Sequence, residues 1–162
     1  MHAHIVAHPR LQHHEEWGSA FAEGLRRHGW RVTVGGSPSP CDLLVMWGVR
    51  RPDWIERQKA AGGAVCILER GYVGDRFAYT SVSFGGGLNG RGIFRGPFHD
   101  DSRWERHFGH LMRPWRQIDG RVALIMGQVP GDQAVKGVEM DAWYRTATEA
   151  YLMAGFETRF RK

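Results

Sequence analysis

Groups able to do chemistry crowd into residues 69–94. Glu69 is a carboxylate that can act as a base, Arg70, Arg76 and Arg91 are guanidiniums suited to phosphate, and Asp75 and Asn89 add further hydrogen-bonding groups. Glycines at 71, 74, 85, 86, 87, 90 and 92 separate them, and so glycine-rich a backbone can approach a ligand closely. The segment reads as a ligand-facing loop. It reads equally as a glycine-punctuated hairpin, with Tyr79, Val82 and Phe84 in a small core and the charges in solvent.

Two other places offer chemistry. His8 follows the apolar run 4–7 and stands at the end of a predicted strand, where it can exchange protons near neutral pH or simply be a hydrogen-bonded rim histidine. Gly127, Gln128, Val129, Pro130, Gly131 and Asp132 lie between a predicted strand and a predicted helix. Backbone N–H groups and the positive end of the helix dipole can hold an anion there. The plainer reading is a turn capped locally by Asp132. The loop has neither the lysine of a P-loop nor the three glycines of a dinucleotide fingerprint.

Other chemistries find little support. His2, His4 and His8 share strand parity, His13 and His14 are near them, and His107 and His110 are one helical turn apart, yet no carboxylate completes a recognised metal pattern. Residues 14–17 lack the second histidine of a zinc-protease helix. Ser81 and Ser83 have no nucleophile elbow around them, so a serine hydrolase is unsupported. No metal and no bound cofactor is expected.

The elements that must position these groups follow from periodicity. Residues 4–7 form a strand, and Trp17, Ala20, Phe21, Gly24, Leu25 and His28 mark a helix that Gly29 stops before a second strand at 30–34. This βαβ opening requires a right-handed crossover and a parallel sheet. Residues 42–47 are nearly all apolar, as in a strand buried on both faces. Pro52 opens a short helix over 53–61, Gly62 and Gly63 end it, and residues 64–68 form a fourth strand. Beyond the central segment, 80–84 and 93–94 read as short strands and 100–112 as a helix. A further βαβ unit has a strand at 122–126, a helix over 139–154 with Met140, Trp143, Tyr144, Ala147 and Tyr151 on its apolar side, and a strand at 156–160. The expected class is α/β: a Rossmann-like, open, mainly parallel sheet with helices on both faces. The expected organisation is one domain over 1–162, with 1–118 as a first half and 121–162 as a βαβ unit extending the same sheet. In such sheets the ligand crevice lies beyond the carboxyl ends of the strands. That sets His8, residues 35–37, 47–50, Glu69 and Arg70 on one rim.

Composition narrows the partners. The 162 residues are 42% hydrophobic, enough for a core, and carry a formal charge of +5 with a pI near 9.7. Arginine far outnumbers lysine, which favours bidentate contacts to phosphates or carboxylates. Cys41 and Cys66 have no metal spacing and read as small buried side chains in a reducing, cytoplasmic setting. No stretch is long and apolar enough to span a bilayer. Trp17, Trp54, Trp104 and Trp143 fall on apolar helical faces, where packing explains them better than base stacking does.

The loop at 127–132, followed by Ala134, Val135 and the helix containing Asp141, Trp143 and Tyr144, resembles the start of the second half in GT-B-architecture glycosyltransferases of the capsular-polysaccharide-synthesis type. His8-Pro9 with the helix over 17–28 is similar to their first half, and residues 69–76 add to the likeness. The resemblance implies two Rossmann-like halves, a nucleotide-sugar held mainly by the second, an acceptor facing the first, and no obligatory metal. On that basis Glu69 or His8 is the expected base, Arg70, Arg76 and Arg91 are expected to neutralise phosphate, with Asp75 and Asn89 beside them, and Gly127, Gln128, Gly131 and Asp132 are expected to cradle the diphosphate. The second half resembles an incomplete one, and a non-catalytic module acting on a protein or nucleic acid is the alternative. Trp143, Tyr144 and Tyr151 supply more aromatic area than one small sheet face needs, so a homodimer is expected.

Overall fold

The computed structural model describes residues 1–7, 11–75, 78–87, 92–93, 100–115, 120–129, 131–132 and 135–161. The chain divides into two compact units, Met1–Met112 and Arg113–Lys162.

The first unit is a mixed α/β structure on a five-stranded, mostly parallel sheet of order β2-β1-β3-β4-β5. Its elements in chain order are β1 (His2–Val6), α1 (Gln12–Arg27), β2 (Arg31–Gly35), β3 (Leu43–Trp47), α2 (Pro52–Ala60), β4 (Ala64–Arg70), β5 (Thr80–Phe84) and α3 (Ser102–Phe108), which continues as a 3-10 turn at Gly109–Leu111. β1 pairs in parallel with β2 and β3, and β3 with β4, whereas β5 returns antiparallel along β4.

The sequence pattern explains the layering. β3 is apolar at every position, and Leu43, Leu44, Val45 and Met46 are all buried. Alternate residues feed two separate cores. On one face Ala3, Ile5, Leu43, Val45, Cys66 and Leu68 pack against Trp17 and Ala22 of α1. On the other Leu44, Met46, Val65 and Ile67 pack against Ile55 of α2. α1 packs closely where β1 ends: a Cβ on Gly18 would be in ordinary contact, 3.4 Å from the Ala7 Cβ. Each fully buried Ile or Leu contributes roughly 1.5–3 kcal/mol, so these two clusters set the stability of the unit.

The second unit contains β6 (Val122–Met126), α4 (Met140–Met153) and β7 (Glu157–Arg161), with β6 and β7 paired in parallel. From sequence this βαβ unit is expected to extend the first sheet; instead β6 and β7 form a two-stranded sheet of their own. Strands joined by one crossover helix meet at small loop-closure cost, which favours the local pairing. Ile125 is the buried large apolar residue among the described residues of this unit, while Val122, Leu124 and Met126 are exposed. Among the described residues no helix is long and apolar enough to cross a membrane.

Candidate functional site

The order β2-β1-β3-β4-β5 sends the chain to opposite sides of β1, and in open α/β sheets the crevice forms at that reversal, beyond the carboxyl ends of the strands. α1 begins just after β1, so its first turns stand on this edge.

On the α1 face these elements enclose a cleft of about 180 Å3. α1 contributes His13, Glu16 and Trp17, β3 contributes Trp47, and the ends of β4 and β5 contribute Arg70 and Thr80, with Tyr79 beside them. Its walls are aromatic. Trp47 lies 5.4 Å from His13, 5.5 Å from His14 and 5.6 Å from Trp17, centroid to centroid, and the two indoles are tilted by 31°. Trp17 is buried, and among the described residues its Nε1–H has no hydrogen-bond partner. Gln12 Nε2 donates to Glu16 Oε1 at 2.9 Å.

Glu69 and Arg70 lie on opposite faces of β4. Successive strand residues point to opposite faces. Arg70 shares the parity of Cys66 and Leu68 and lines the α1-face cleft. Glu69 shares the parity of Ile67 on the α2 face, where its Oε2 lies 3.7 Å from the place a Cβ would take on Gly48. Its Oε1 accepts the backbone N–H of Arg70 at 2.9 Å. Gly48 has φ 65° and donates its N–H to the Leu68 carbonyl at 2.8 Å, a left-handed turn that lets β3 end beside the carboxylate. Partial burial, and then the charge of Glu69, raise the pKa of the nearby Tyr72 hydroxyl.

The segment between β4 and β5 is a hairpin, with Arg70 paired to Thr80 and Cys66 to Phe84. Val82 and Phe84 are exposed, so they form no small core of their own. Tyr79 does pack, with its ring 4.8 Å from Phe108 and 5.8 Å from His107 of α3. Gly71 makes this possible, since a Cβ there would sit 2.8 Å from the Tyr79 Cβ. The start of the segment is thus a hairpin, and Arg70 and Tyr79 at its base line the cleft. Asp75 is exposed on the hairpin. His8, Arg76, Asn89 and Arg91 lie outside the described residues.

A second cleft, of about 320 Å3, opens on the other side of α1. Its lining includes Ala7, His14, Glu15 and Ser19, with Gly35 and Gly36 at the end of β2. The first turns of α1 therefore present His13, Glu16 and Trp17 to one cleft and His14, Glu15 and Gly18 to the other, as a period of 3.6 residues dictates.

In the second unit the loop after β6 is held from within. Gly127 N–H donates to the Arg161 carbonyl at 2.7 Å, and Gln128 N–H donates to the Tyr144 hydroxyl at 3.1 Å. Gly131 has φ 80° and is exposed, and Asp132 N–H donates to the Val129 carbonyl at 3.1 Å. The first two amides of this loop are thus used on β7 and α4.

Among the described residues no group of three or more histidine, cysteine or acidic side chains could hold a metal ion. Burial pushes the Cys66 thiol up to about 12, far from thiolate chemistry. No protein-family signature matches the sequence, and no characterised protein matches it at a significant level.

Sequence reasoning set Trp47 on the rim, within residues 47–50, but passed over His13, Glu16 and Trp17 as residues that line the cleft. It assigned Trp17 to core packing, and Trp17 is indeed in the core, but its edge also lines the cleft. The available signal was the run His13-His14-Glu15-Glu16-Trp17 in the first turns of a helix that follows the first strand. Those turns belong to the carboxyl edge of a parallel sheet.

Proposed function

We propose that the chain is a glycosyltransferase-like protein with a Rossmann-like first half, binding a nucleotide or nucleotide-sugar at the carboxyl ends of its strands. One observation carries this reading: the strand-end cleft combines aromatic walls with a guanidinium, Arg70, and a carboxylate, Glu16. In this reading Arg70, aided by Arg76 and Arg91, neutralises phosphate, and Glu69 or His8 takes the proton of an acceptor hydroxyl. The separation of Glu69 and Arg70 onto opposite faces favours assigning them to different parts of the substrate. In the second unit, taken by itself, the loop Gly127, Gln128, Gly131 and Asp132 is proposed as a phosphate contact, one that does not use the N–H groups of Gly127, Gln128 and Asp132, which donate within the unit. A reducing, cytoplasmic setting fits the two free thiols, Cys41 and Cys66.

Isothermal titration with uridine, guanosine, cytidine and thymidine diphosphate sugars tests the proposal. Heat with at least one at millimolar concentration is expected, and none with any, on a folded chain, overturns it. A non-catalytic module that binds nucleic acid is the second reading, favoured by the +5 charge and the excess of arginine. It requires a gel-shift complex at low salt that weakens steeply as salt rises. We further propose that the protein is a homodimer joined through α4, where Trp143 and Tyr151 are each 46% exposed.

A further inference from the structure

We infer that the outer edge of β6 is a self-pairing edge: β6 of one copy lies antiparallel to β6 of a second copy, with Leu124 on the two-fold axis, so that two second units share one four-stranded sheet. This rests on the homodimer proposed above and goes beyond it by naming the strand, the register and the residue on the axis.

The backbone directions come first. Gly127 donates its N–H to the Arg161 carbonyl, and the Arg121 carbonyl accepts from the Glu157 N–H, so the odd-numbered residues here turn their backbone groups toward β7. Successive strand residues alternate in this direction. Val122, Leu124 and Met126 therefore turn their N–H and C=O groups to the outer edge, where no strand pairs with β6 among the described residues. Their side chains share one face. Ile125, of the other parity, is buried, and Phe160 beside it in register reaches the Tyr144 ring of α4. Val122, Leu124 and Met126 thus face away from α4, and all three are exposed.

The two edges of this sheet differ in kind. Open edges are ordinarily blunted by charge, proline or a bulge. β7 is blunted: antiparallel self-pairing about its middle residue would set Arg159 opposite the partner's Arg159, like charge on like. β6 is not, since its residues 122–126 are Val, Ala, Leu, Ile and Met, with no charge, proline or glycine to refuse a partner.

A two-fold interface must be self-complementary, and β6 meets that condition about Leu124. In this register Leu124 is opposite the partner's Leu124 and Val122 is opposite the partner's Met126, so every outward-facing residue of both strands exchanges its backbone hydrogen bonds. On the other face the small Ala123 is opposite the large Ile125 of the partner subunit, which joins the two layers beneath the helices. α4 packs on both strands of its own sheet. With two strands from each copy and about 4.8 Å between strands, the two α4 helices stand about 10 Å apart, a distance at which helices pack. Strand pairing by itself falls short of the ~800 Å2 per partner of a stable interface, and the helix contact enlarges it.

The test is oxidative cross-linking of the full chain in a Cys41→Ser background, beside light scattering. Directly opposed hydrogen-bonded residues have Cα atoms about 5.5 Å apart, within the ~4.4–6.8 Å that a disulfide spans. Leu124→Cys should therefore convert to a covalent dimer of twice 18.4 kDa. Val122→Cys should not, because it is four strand residues, at about 3.4 Å each, from its own copy across the axis. Leu124→Lys sets two ammonium groups against each other and should run as a monomer where the wild type is a dimer; mixing it with Leu124→Glu should restore the dimer. Leu124 is exposed, so these variants should fold, and if circular dichroism shows Leu124→Lys unfolded, cross-linking decides alone. A wild-type monomer at high micromolar concentration removes both the inference and the homodimer beneath it. A wild-type dimer in which Leu124→Cys does not cross-link, or Val122→Cys cross-links equally, or folded Leu124→Lys stays dimeric, overturns the inference and leaves the homodimer standing on α4. A mass that grows past the dimer with concentration shows head-to-tail pairing and overturns the two-fold register.

Discussion

Replacing Gln58 with leucine should lower stability sharply and leave the cleft untouched. Gln58 lies on α2 and is buried, with its Nε2 donating to the Cys41 carbonyl at 2.8 Å and to the Ala64 carbonyl at 3.3 Å. The Cys41 thiol in turn reaches its Oε1 at 3.6 Å. These contacts join α2 to the chain just before β3 and to the first residue of β4. Both bonds are only partly buried, so losing the donor costs about 1–2 kcal/mol at the Cys41 carbonyl and less at that of Ala64, an exposed residue. The amide also fills the space over Gly63, where a Cβ would be 1.9 Å from Nε2, and leucine does not reach that far. The sum is roughly 1–3 kcal/mol, a sizeable share of the 5–15 kcal/mol that holds a typical domain. Urea unfolding followed by circular dichroism measures it, with an unchanged slope showing that the midpoint shift is a stability change. Because Gln58 acts at the amino ends of β3 and β4, ligand affinity at their carboxyl ends should stay within twofold. A loss below about 0.5 kcal/mol would show that water or a neighbour replaces the amide, and the reasoning would fail.

The remaining expectations concern titration, thiol access and assembly. Burial, and then the neighbouring His2, hold His4 below its ordinary value of 6.5. The unfolded chain therefore binds a proton that the folded one refuses as pH falls from about 6.5 toward the lowered value, so stability is full above that window and declines within it. The decline is at most ~1.4 kcal/mol per pH unit. Urea midpoints between pH 7.5 and 5.5 should fall in wild type and flatten in His4→Gln, and a flat wild-type profile would refute this. Cys66 should react with a thiol reagent only at the rate of unfolding, since it is fully buried and raised to about 12; prompt labelling in a Cys41→Ser background would contradict its burial. Light scattering should give a dimer that Trp143→Ser with Tyr151→Ser converts to a monomer near 18.4 kDa, and an unchanged mass would place any interface elsewhere.

The elements of the first unit were legible in the sequence because their signals are local. The apolar run that becomes β3, the stripe of Trp17, Phe21 and Leu25 on α1, and the stops at Gly29 and Gly62 each depend on residues within one or two turns. The parallel opening followed from the βαβ order, and the rim followed from the general placement of crevices at strand ends. What only the tertiary structure decided is which side chains share a space. Trp17 and Trp47 are thirty positions apart and meet because β1 and β3 are neighbours, a pairing set by strand order. Glu69 and Arg70 are adjacent in sequence and diverge because β4 runs through both as an extended strand. β5 turned back antiparallel and Tyr79 lodged against Phe108 through long-range packing that no local pattern encodes. The parallel pairing of β6 with β7 was expected from their βαβ order, and what the tertiary structure added is that they form a two-stranded sheet of their own. Periodicity fixes what each segment is, and register and strand order fix what it touches.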